Sequence, residues 1–429
     1  MNDYKEQIHQ WITDNRLKGI RLLKKLVQEP SIQGNEGSAQ AIVVEKCREM
    51  GLDIDIWEPA GTTLLSHPYF VSPRNHFTNS PNVVGVLKGT GGGRSIILNG
   101  HIDVVPEGEL AQWEYDPYAG EITNGKLYGR GSTDMKGGNT ALLLAIDAIR
   151  SLEIKLRGDV IFQSVIEEES GGAGTLAAIL RGYKADGAII PEPTNMKIFP
   201  KQQGSMWFRC IVQGRSAHGG TRYQGVSAIE KSTIVLRQIE KLEMRRNAKI
   251  NDPLYKDVPI PIPINIGKIH GGTWPSSVPD QVSFEGRIGV SPEEKIEDVK
   301  EEFEQWLEGL FKIDSWFREH PIKVEWFGAR WVPGTIKMDH ELMTSLIAGY
   351  KKVRETDPII EASPWGTDGG LFTKVANIPT IVFGPGVTEV AHYPNEYIDL
   401  ERIFEYAEII ALTLINWCGI ETTNNEEDN

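Results

Sequence analysis

Asn99-Gly100-His101-Ile102-Asp103 follows the apolar run Ile96-Ile97-Leu98 and marks the end of a buried strand that runs into a loop. Residues two apart on a strand point to the same side, so His101 and Asp103 can face one pocket. A metal-bound histidine needs its second ring nitrogen held by a carboxylate or a carbonyl, which Asp103 could supply. The alternative is a strand end at which the two side chains only form local hydrogen bonds.

Two further predicted strands run into acidic residues. Residues 159–166 lead into Glu167-Glu168-Glu169, and residues 185–190 lead into Pro191-Glu192-Pro193. Residues 140–149, which lie between the strand ending at His101 and the strand at 159–166, are apolar almost all round and predict a buried helix. Strands that alternate with helices in this way predict an α/β sheet with helices on its faces.

The glycine-rich stretch at residues 89–93 predicts a hairpin turn. Residues 82–87 and 95–98 on either side have the composition of strands, so we expect them to pair with each other. A phosphate-binding loop would need a Gly-Lys-Ser/Thr sequence after the glycines, and none follows.

The pattern of elements changes near Gln202 and changes back after Pro333. Between these points, strands and long amphipathic helices indicate a separate α+β sandwich inserted into the first domain. We predict a first domain at residues 1–201 and 334–429 and an inserted domain at 202–333, with strands at 205–212, 263–269 and 281–288 and helices at 225–242 and 292–311.

Composition narrows the classes of function. A chain of 429 residues is long enough for two domains. Its formal net charge of -14 argues against nucleic acid or an anionic membrane surface as the main partner. Its three cysteines are far apart, which excludes a disulfide framework and fits a reducing cytosol. Because the sequence has no apolar signal core and no membrane-spanning run, we expect a cytoplasmic protein.

Several acidic and histidine residues fall where α/β sheets build their sites. Asp134 lies among glycines just before the predicted buried helix, which it could instead cap. The run Glu167-Glu168-Glu169 follows a core strand, which favours a cluster facing a site over a solvated charge run. Glu192 is held between two prolines, and His392 follows a glycine loop late in the chain, where a structural role is the alternative.

These side chains together form a metal-ligand set. Two histidines and at least three carboxylates offer imidazole and oxygen donors without a thiolate, which suits zinc, cobalt or manganese. So many carboxylates favour two ions that share one bridging carboxylate.

In their order along the chain, the motifs resemble those of the co-catalytic zinc peptidases and deacylases. That family includes acetylornithine deacetylase, succinyl-diaminopimelate desuccinylase, aminoacylase and the glutamate carboxypeptidases. The resemblance covers nearly the whole chain and is carried by Gly100-His101-Ile102-Asp103, the segment 129–138 around Asp134, Glu168-Glu169, Glu192-Pro193-Thr194, Gly214-Arg215-Ser216-Ala217-His218, and His392. It implies a catalytic domain with a central mixed sheet and an inserted dimerisation or lid domain.

The resemblance also implies a role for each candidate ligand. His101 and Glu192 would bind one zinc ion, Glu169 and His392 would bind the other, and Asp134 would bridge the two. Cobalt or manganese would be substitutes for zinc.

Two neighbours of these ligands would act in catalysis. Asp103 would orient the ring of His101, and Glu168 would be the general base that takes a proton from the attacking water and delivers it to the leaving amine. Only the resemblance distinguishes the base Glu168 from the ligand Glu169.

In the inserted domain, the resemblance implies that His218 reaches the active site of the other subunit of a homodimer and polarises the scissile carbonyl. The alternative is a loop histidine that faces solvent. Asn265 and Arg287 fall at family positions that could bind a substrate carboxylate or the developing oxyanion, for which an arginine is well suited.

We therefore predict a two-zinc amidohydrolase that removes an acyl group from a small N-acylated amine or amino acid, with an acetylornithine-type substrate as the default. Deformylation of an N-formyl aminopyrimidine in thiamin salvage and dipeptide hydrolysis are alternatives, because residues 274–279 and 364–370 depart from the substrate loops of the family. A zinc-binding interaction protein that has lost catalysis is the non-enzyme alternative, and the presence of Glu168 and His218 argues against it. A two-metal phosphoesterase would need basic residues near the ligands, and the sequence offers Arg130 and Lys136.

Overall fold

A computed structural model describes residues 2–421 of the protein. By compactness the chain divides into two units. The first comprises the residues up to Lys201, Gly334–Glu361 and those from Thr367 onward, and the second comprises Gln202–Pro333 and Ala362–Gly366. None of the helices in the described range is both long and apolar enough to cross a lipid bilayer.

The helices of both units alternate with strands along the chain. The α-helices are α1 (Asn2–Gln28), α2 (Gly37–Glu49), α3 (Thr62–Leu65), α4 (Gly137–Ser151), α5 (Ala173–Leu180), α6 (Ala228–Asn247), α7 (Ile296–Glu308), α8 (Trp316–Glu319), α9 (Glu341–Arg354), α10 (Gly369–Leu371) and α11 (Leu400–Cys418).

The strands run through the same range. They are β1 (Asp53–Trp57), β2 (Asn82–Leu87), β3 (Ile96–His101), β4 (Glu121–Thr123), β5 (Lys126–Tyr128), β6 (Val160–Val165), β7 (Ala188–Ile190), β8 (Ile198–Gln202), β9 (Gly204–Gln213), β10 (Ala217–His218), β11 (Ile264–Gly271), β12 (Ser277–Val278), β13 (Gln281–Val290), β14 (Lys323–Trp331), β15 (Gly334–Thr335), β16 (Ile360–Ser363), β17 (Thr380–Val382) and β18 (Tyr397–Asp399).

The first unit is built on a large mixed sheet, which confirms the predicted fold class. Its strands follow the order β1-β2-β6-β3-β7-β17-β8-β15, and β16 pairs with β8. Strand β3 runs parallel to β6 and β7, so the carboxyl ends of these three strands lie at one edge. A smaller sheet has the order β18-β5-β4.

The predicted hairpin around residues 89–93 is wrong. Strand β6 lies between β2 and β3, antiparallel to the first and parallel to the second, so the two strands never pair. The glycine loop instead packs on the segment before β6, where Thr90 N–H donates to the carbonyl of Leu156 and Gly91 N–H to that of Arg157. Local composition predicted the two strands correctly, but it could not show that a strand from later in the chain enters between them.

Helix α4 is buried almost along its whole length, as its apolar sequence predicts. It packs against α1 and α11 as well as against β3 and β6. Strand β3 is also buried at every position, and its sequence is apolar from Ile96 to Leu98, before the polar residues at its end. The strand and the start of the helix thus form one rigid support.

The second unit contains a four-stranded antiparallel sheet in the order β11-β13-β9-β14. Alternate residues of β9, among them Phe208 and Cys210, are buried, and helices α6 and α7 bury their apolar stripes in the same unit. Strand β11 is an edge strand, and most of its residues are exposed.

Gly100 allows β3 to approach the first turn of α4. A Cβ atom at this position would lie 1.8 Å from Oδ1 of Asn139, whose Nδ2 donates to the carbonyl of His101 at 2.6 Å. The absence of a side chain at Gly100 therefore sets the position of His101 relative to the helix.

We expect Gly100→Ala to lower the free energy of unfolding by about 1–3 kcal/mol, because the added methyl group overpacks this contact. Denaturant unfolding followed by circular dichroism measures the change. Gly309→Ala is the matched control, since nothing lies within 4 Å of a Cβ there. Equal stability of the two variants would contradict the close approach of β3 to α4.

Candidate metal centre

The five predicted metal ligands all lie in the first unit, and four of them follow or end a strand or precede a helix of its core. His101 is the last residue of β3, Asp134 lies in the turn before α4, Glu169 follows β6, Glu192 follows β7, and His392 lies in the loop before β18. The structure brings these side chains together at the carboxyl edge of the parallel strands, where α/β sheets form their sites. We call these five residues the ligand cluster.

The carboxylate of Asp134 lies between the two histidine rings. Its Oδ1 is 3.1 Å from Nε2 of His101, and its Oδ2 is 3.2 Å from Nε2 of His392. One oxygen for each ring is the arrangement expected of a bridging carboxylate. Asp134 is not a helix cap, because α4 begins three residues later without a side-chain capping bond.

Each histidine also has a second acidic neighbour. Glu192 Oε2 lies 3.9 Å from Nε2 of His101, and Glu169 Oε1 lies 3.1 Å from Nε2 of His392. Ligand atoms of His101, Asp134 and Glu169 lie within 4.8 Å of one another, as do those of His101, Glu168 and Glu192. His101 belongs to both of these sets, and Glu168, the predicted base, lies with Glu192 in the second.

Asp103 holds both the histidine and the loop that follows β6. Its backbone carbonyl lies 2.8 Å from Nδ1 of His101, whereas its own carboxylate is farther from this nitrogen, at 3.8 Å. The carboxylate instead accepts the backbone N–H groups of Glu168 and Glu169 at 3.3 Å and 3.1 Å. The histidine is thus oriented by Asp103 through the carbonyl rather than through the side chain.

Glu167, the first of the three consecutive glutamates, faces away from the ligand cluster. Its buried carboxylate accepts the Nε–H of Arg74 at 2.5 Å and the hydroxyl of Ser72 at 2.7 Å. Arg74 also bonds the buried Glu36 at 2.6 Å. The positive charge that compensates this part of the acidic run therefore comes from Arg74, which sequence reasoning missed because it lies in an irregular loop.

Burial and mutual repulsion perturb the carboxylates at the site. Burial raises the pKa of Glu192 to about 7, with the charges of Asp134 and Glu169 adding to the effect. Burial also raises the pKa of Glu168 well above its usual range, assisted by the charges of Glu192 and Asp368. Carboxylates that resist ionisation when alone are stabilised as anions by a nearby cation.

The pKa values of the two histidines are also raised, because acidic groups surround both rings. Although burial lowers the pKa of His101, its hydrogen bond to Asp134 and the nearby carboxylate of Glu192 outweigh that effect and raise it. The negative charge of Glu169 raises the pKa of His392, against a smaller effect of burial. The ligand cluster thus gathers three carboxylates around two imidazoles, a donor set that fits divalent cations such as zinc.

The two basic residues of the glycine-flanked segment are committed elsewhere. Arg130 pairs with Glu396 at 2.6 Å, and Lys136 donates to the carbonyls of Leu26 and Glu29 at 2.8 Å each. Neither is placed to bind a phosphate among the ligands, which argues against the phosphoesterase alternative.

The three remaining predicted residues belong to the second unit. His218, in β10, is exposed, and its Nδ1 accepts the N–H of Gly220 at 3.1 Å. Asn265 and Arg287 lie directly opposite each other in the register of β11 and β13. Burial lowers the pKa of Arg287.

A buried carboxylate beside a cluster of imidazole and carboxylate donors is typical of metal-dependent hydrolases. The chain belongs to peptidase family M20/M25/M40, whose model matches residues 97–416. The resemblance drawn from the sequence is therefore confirmed, and so is the prediction of a hydrolase that acts on linear amide bonds.

Relatives of several activities match this chain over nearly their full length. The N-formyl-4-amino-5-aminomethyl-2-methylpyrimidine deformylase of Bacillus subtilis (strain 168) is 33% identical over 95% of this chain and 96% of the relative. The acetylornithine deacetylase of Edwardsiella ictaluri (strain 93-146) is 26% identical over 93% of this chain and 97% of the relative. The solved structure of the dipeptidase Dug1p from Saccharomyces cerevisiae has a TM-score of 0.77 at 16% identity, covering 97% of this chain and 99% of that one.

Metal affinity should increase with pH between about 6 and 8, because metal binding requires deprotonated ligands. The pKa of Glu192, raised to about 7, and the raised pKa values of His101 and His392 mean that the metal-free protein holds protons that must leave. Calorimetric titration with Zn²⁺ in two buffers of different ionisation enthalpy measures both the affinity and the protons released. If the affinity is the same at the two ends of this pH range and no protons are released, the raised pKa values are contradicted.

Proposed function

We propose that this enzyme hydrolyses the N-formyl amide of a small aminopyrimidine and releases formate and the free amine. The observation that carries this proposal is the 33% identity to a deformylase of that type over 95% of the chain, against 26% for an acetylornithine deacetylase. The acetylornithine-type substrate that the sequence first suggested belongs to the same reaction class. Of these two substrates, the higher identity to the deformylase supports the N-formyl aminopyrimidine.

We propose that the ligand cluster holds two zinc ions, with cobalt or manganese as substitutes. His101 and Glu192 would hold one ion, Glu169 and His392 the other, and the two oxygens of Asp134 would serve both. Support comes from the position of Asp134 between the two rings, at 3.1 Å and 3.2 Å. Bound ions of this kind polarise an amide carbonyl and lower the pKa of water.

Glu168 would act as the general base. Its carboxylate is buried and lies beside Glu192 and His101, in reach of a water molecule at the ligand cluster. It would accept a proton from the attacking water and pass that proton to the amine nitrogen as the C–N bond breaks. Its raised pKa favours the second of these transfers, because a carboxyl group that holds its proton near neutral pH is an effective acid.

We also propose a homodimer formed through the second unit. In the described part of the chain, β11 pairs with β13 on one side and has no strand on the other. An exposed edge strand is a template for a strand of another chain. The exposed side chains of Ile269, Trp274 and Tyr223 in the same unit add apolar surface for such an interface. His218 of one subunit would then donate a hydrogen bond to the scissile carbonyl of a substrate bound in the active site of the other subunit.

A cytoplasmic location completes the proposal. Cys47, Cys210 and Cys418 are all free and buried, so the described residues contain no disulfide that would need an oxidising compartment.

With zinc-loaded enzyme, we expect kcat/KM for an N-formyl aminopyrimidine to exceed that for the N-acetyl derivative of the same amine by roughly 10- to 200-fold. A pocket shaped for a formyl group must exclude the additional methyl group, and one such group is worth this much discrimination. The assay follows amine release from the two compounds, from N-acetylornithine, from an N-succinyl amine and from a dipeptide. A higher kcat/KM for N-acetylornithine would instead select the acetylornithine deacetylase type of activity.

Glu168→Ala and His218→Ala should each be nearly inactive, yet a mixture of the two should regain roughly a quarter of the wild-type activity. In a mixed dimer, one of the two sites has both its own Glu168 and the other subunit's His218, and random pairing makes half of the dimers mixed. The measurement is activity after subunit exchange, with exchange verified by differently tagged subunits.

Both single variants should retain their metal, since neither removed side chain is a proposed ligand. Verified exchange without recovered activity would show that His218 does not act across the dimer. Full turnover by Glu168→Ala alone would refute the assignment of the base.

A further inference from the structure

A buried ion pair joins two segments that carry metal ligands. Arg130 is 2% exposed and Glu396 is fully buried, and Nη1 of Arg130 lies 2.6 Å from Oε2 of Glu396. Arg130 lies just after β5 and Glu396 just before β18, and these two strands pair with each other, Tyr128 opposite Tyr397. The ion pair thus closes the end of a two-strand ladder, beside the ligand cluster.

Glu396 holds the segment that contains the bridging ligand. Its second oxygen, Oε1, accepts the backbone N–H of Thr133 at 2.9 Å and that of Asp134 at 3.2 Å. One carboxylate therefore connects the guanidinium of Arg130 to the backbone at Asp134. Removal of its charge would weaken both the ion pair and the backbone bonds.

Arg130 holds the segment that contains the last histidine. Its Nη2 donates to the carbonyl of His392 at 3.4 Å and to that of Pro106 at 3.3 Å, and its Nη1 donates to that of Tyr393 at 3.4 Å. His392 has a φ of +65°, a left-handed conformation that a residue other than glycine adopts at a cost. A donor fixed against its carbonyl helps to keep the backbone there.

We propose that Arg130 and Glu396 are positioning residues that set the relative placement of the ligands Asp134 and His392. The inference rests on the proposed two-metal site. The two ligands are far apart in the sequence, yet Oδ2 of Asp134 and Nε2 of His392 lie 3.2 Å apart. Both of their backbone segments are bonded to this one ion pair.

The guanidinium group is required for this role, and a positive charge alone is not sufficient. Its planar fork offers several donors in fixed directions, so one side chain serves Glu396 and three carbonyls together. A lysine would keep the charge beside Glu396 but could not satisfy the same set of acceptors.

The test uses two variants of the full chain, Glu396→Gln and Arg130→Lys. Metal-free protein is titrated with Co²⁺ while visible absorption is recorded, which gives an affinity for each ion, and its melting temperature is measured separately. We expect both variants to lose roughly 10- to 100-fold in metal affinity, the usual effect of removing a group that orients a ligand. The loss should fall mainly on the ion that His392 would hold, so that the spectra approach those of His392→Ala.

Arg246→Lys is the matched control. Arg246 is 3% exposed, and it pairs with Glu294 and Glu302 and donates to the carbonyl of Gly289, all within the second unit. The control should lose melting temperature like Arg130→Lys but bind both ions with wild-type affinity. This comparison separates positioning of the ligands from general loss of stability, and Arg130→Lys, which keeps the buried charge, remains informative if Glu396→Gln folds poorly.

Wild-type affinity for both ions in Arg130→Lys and Glu396→Gln would overturn the inference and leave the two-metal site intact. Equal weakening in Arg246→Lys would also overturn it, because the effect would then come from stability. Failure of the wild-type protein to bind two ions would instead refute the proposed metal site, an outcome that the titration of the unmodified chain distinguishes from the others.

Discussion

The burial of many carboxylates at one edge of the central sheet is the constraint on which the rest of the first unit depends. An ionised carboxylate removed from water is costly unless a cation or several donors compensate it. Arg74 compensates Glu167, and Arg130 compensates Glu396. Both arginines are paired with carboxylates outside the ligand cluster. Among the described residues, the carboxylates of the cluster itself have only imidazole rings as close basic neighbours, so their excess negative charge is available to divalent cations. The placement of fixed positive charge thus determines where a metal can bind.

Four of the five predicted ligands could be located from the sequence because they lie at a strand end or in a glycine-flanked turn, whereas His392 lies in a loop and its assignment rested on the resemblance. Parallel strands bring their carboxyl ends to one edge, so residues distant in the chain become neighbours there. The residues that support the ligands could not be found in this way. Arg74 lies in a segment without periodicity, and no motif in the sequence distinguishes Glu396 from the other loop residues around His392. Their partners are set by tertiary contacts that leave no pattern in the local sequence.

The order of the strands in the central sheet also could not be predicted from the sequence. Composition located β2 and β3, but each of them pairs with β6, which comes much later in the chain and lies between them. The helices were more predictable, since an apolar face or an apolar surface all round reports burial directly. Helix α4 and strand β3 were recognisable for this reason, and together they support the residues at the site.

Asp103 links two functions through one residue. Its carbonyl orients the ring of His101, while its carboxylate holds the backbone on which Glu168 and Glu169 lie. A shift of this residue would move the proposed metal ligand His101 and the proposed base Glu168 at the same time. A substitution at Asp103 could therefore not move one of these two groups without moving the other.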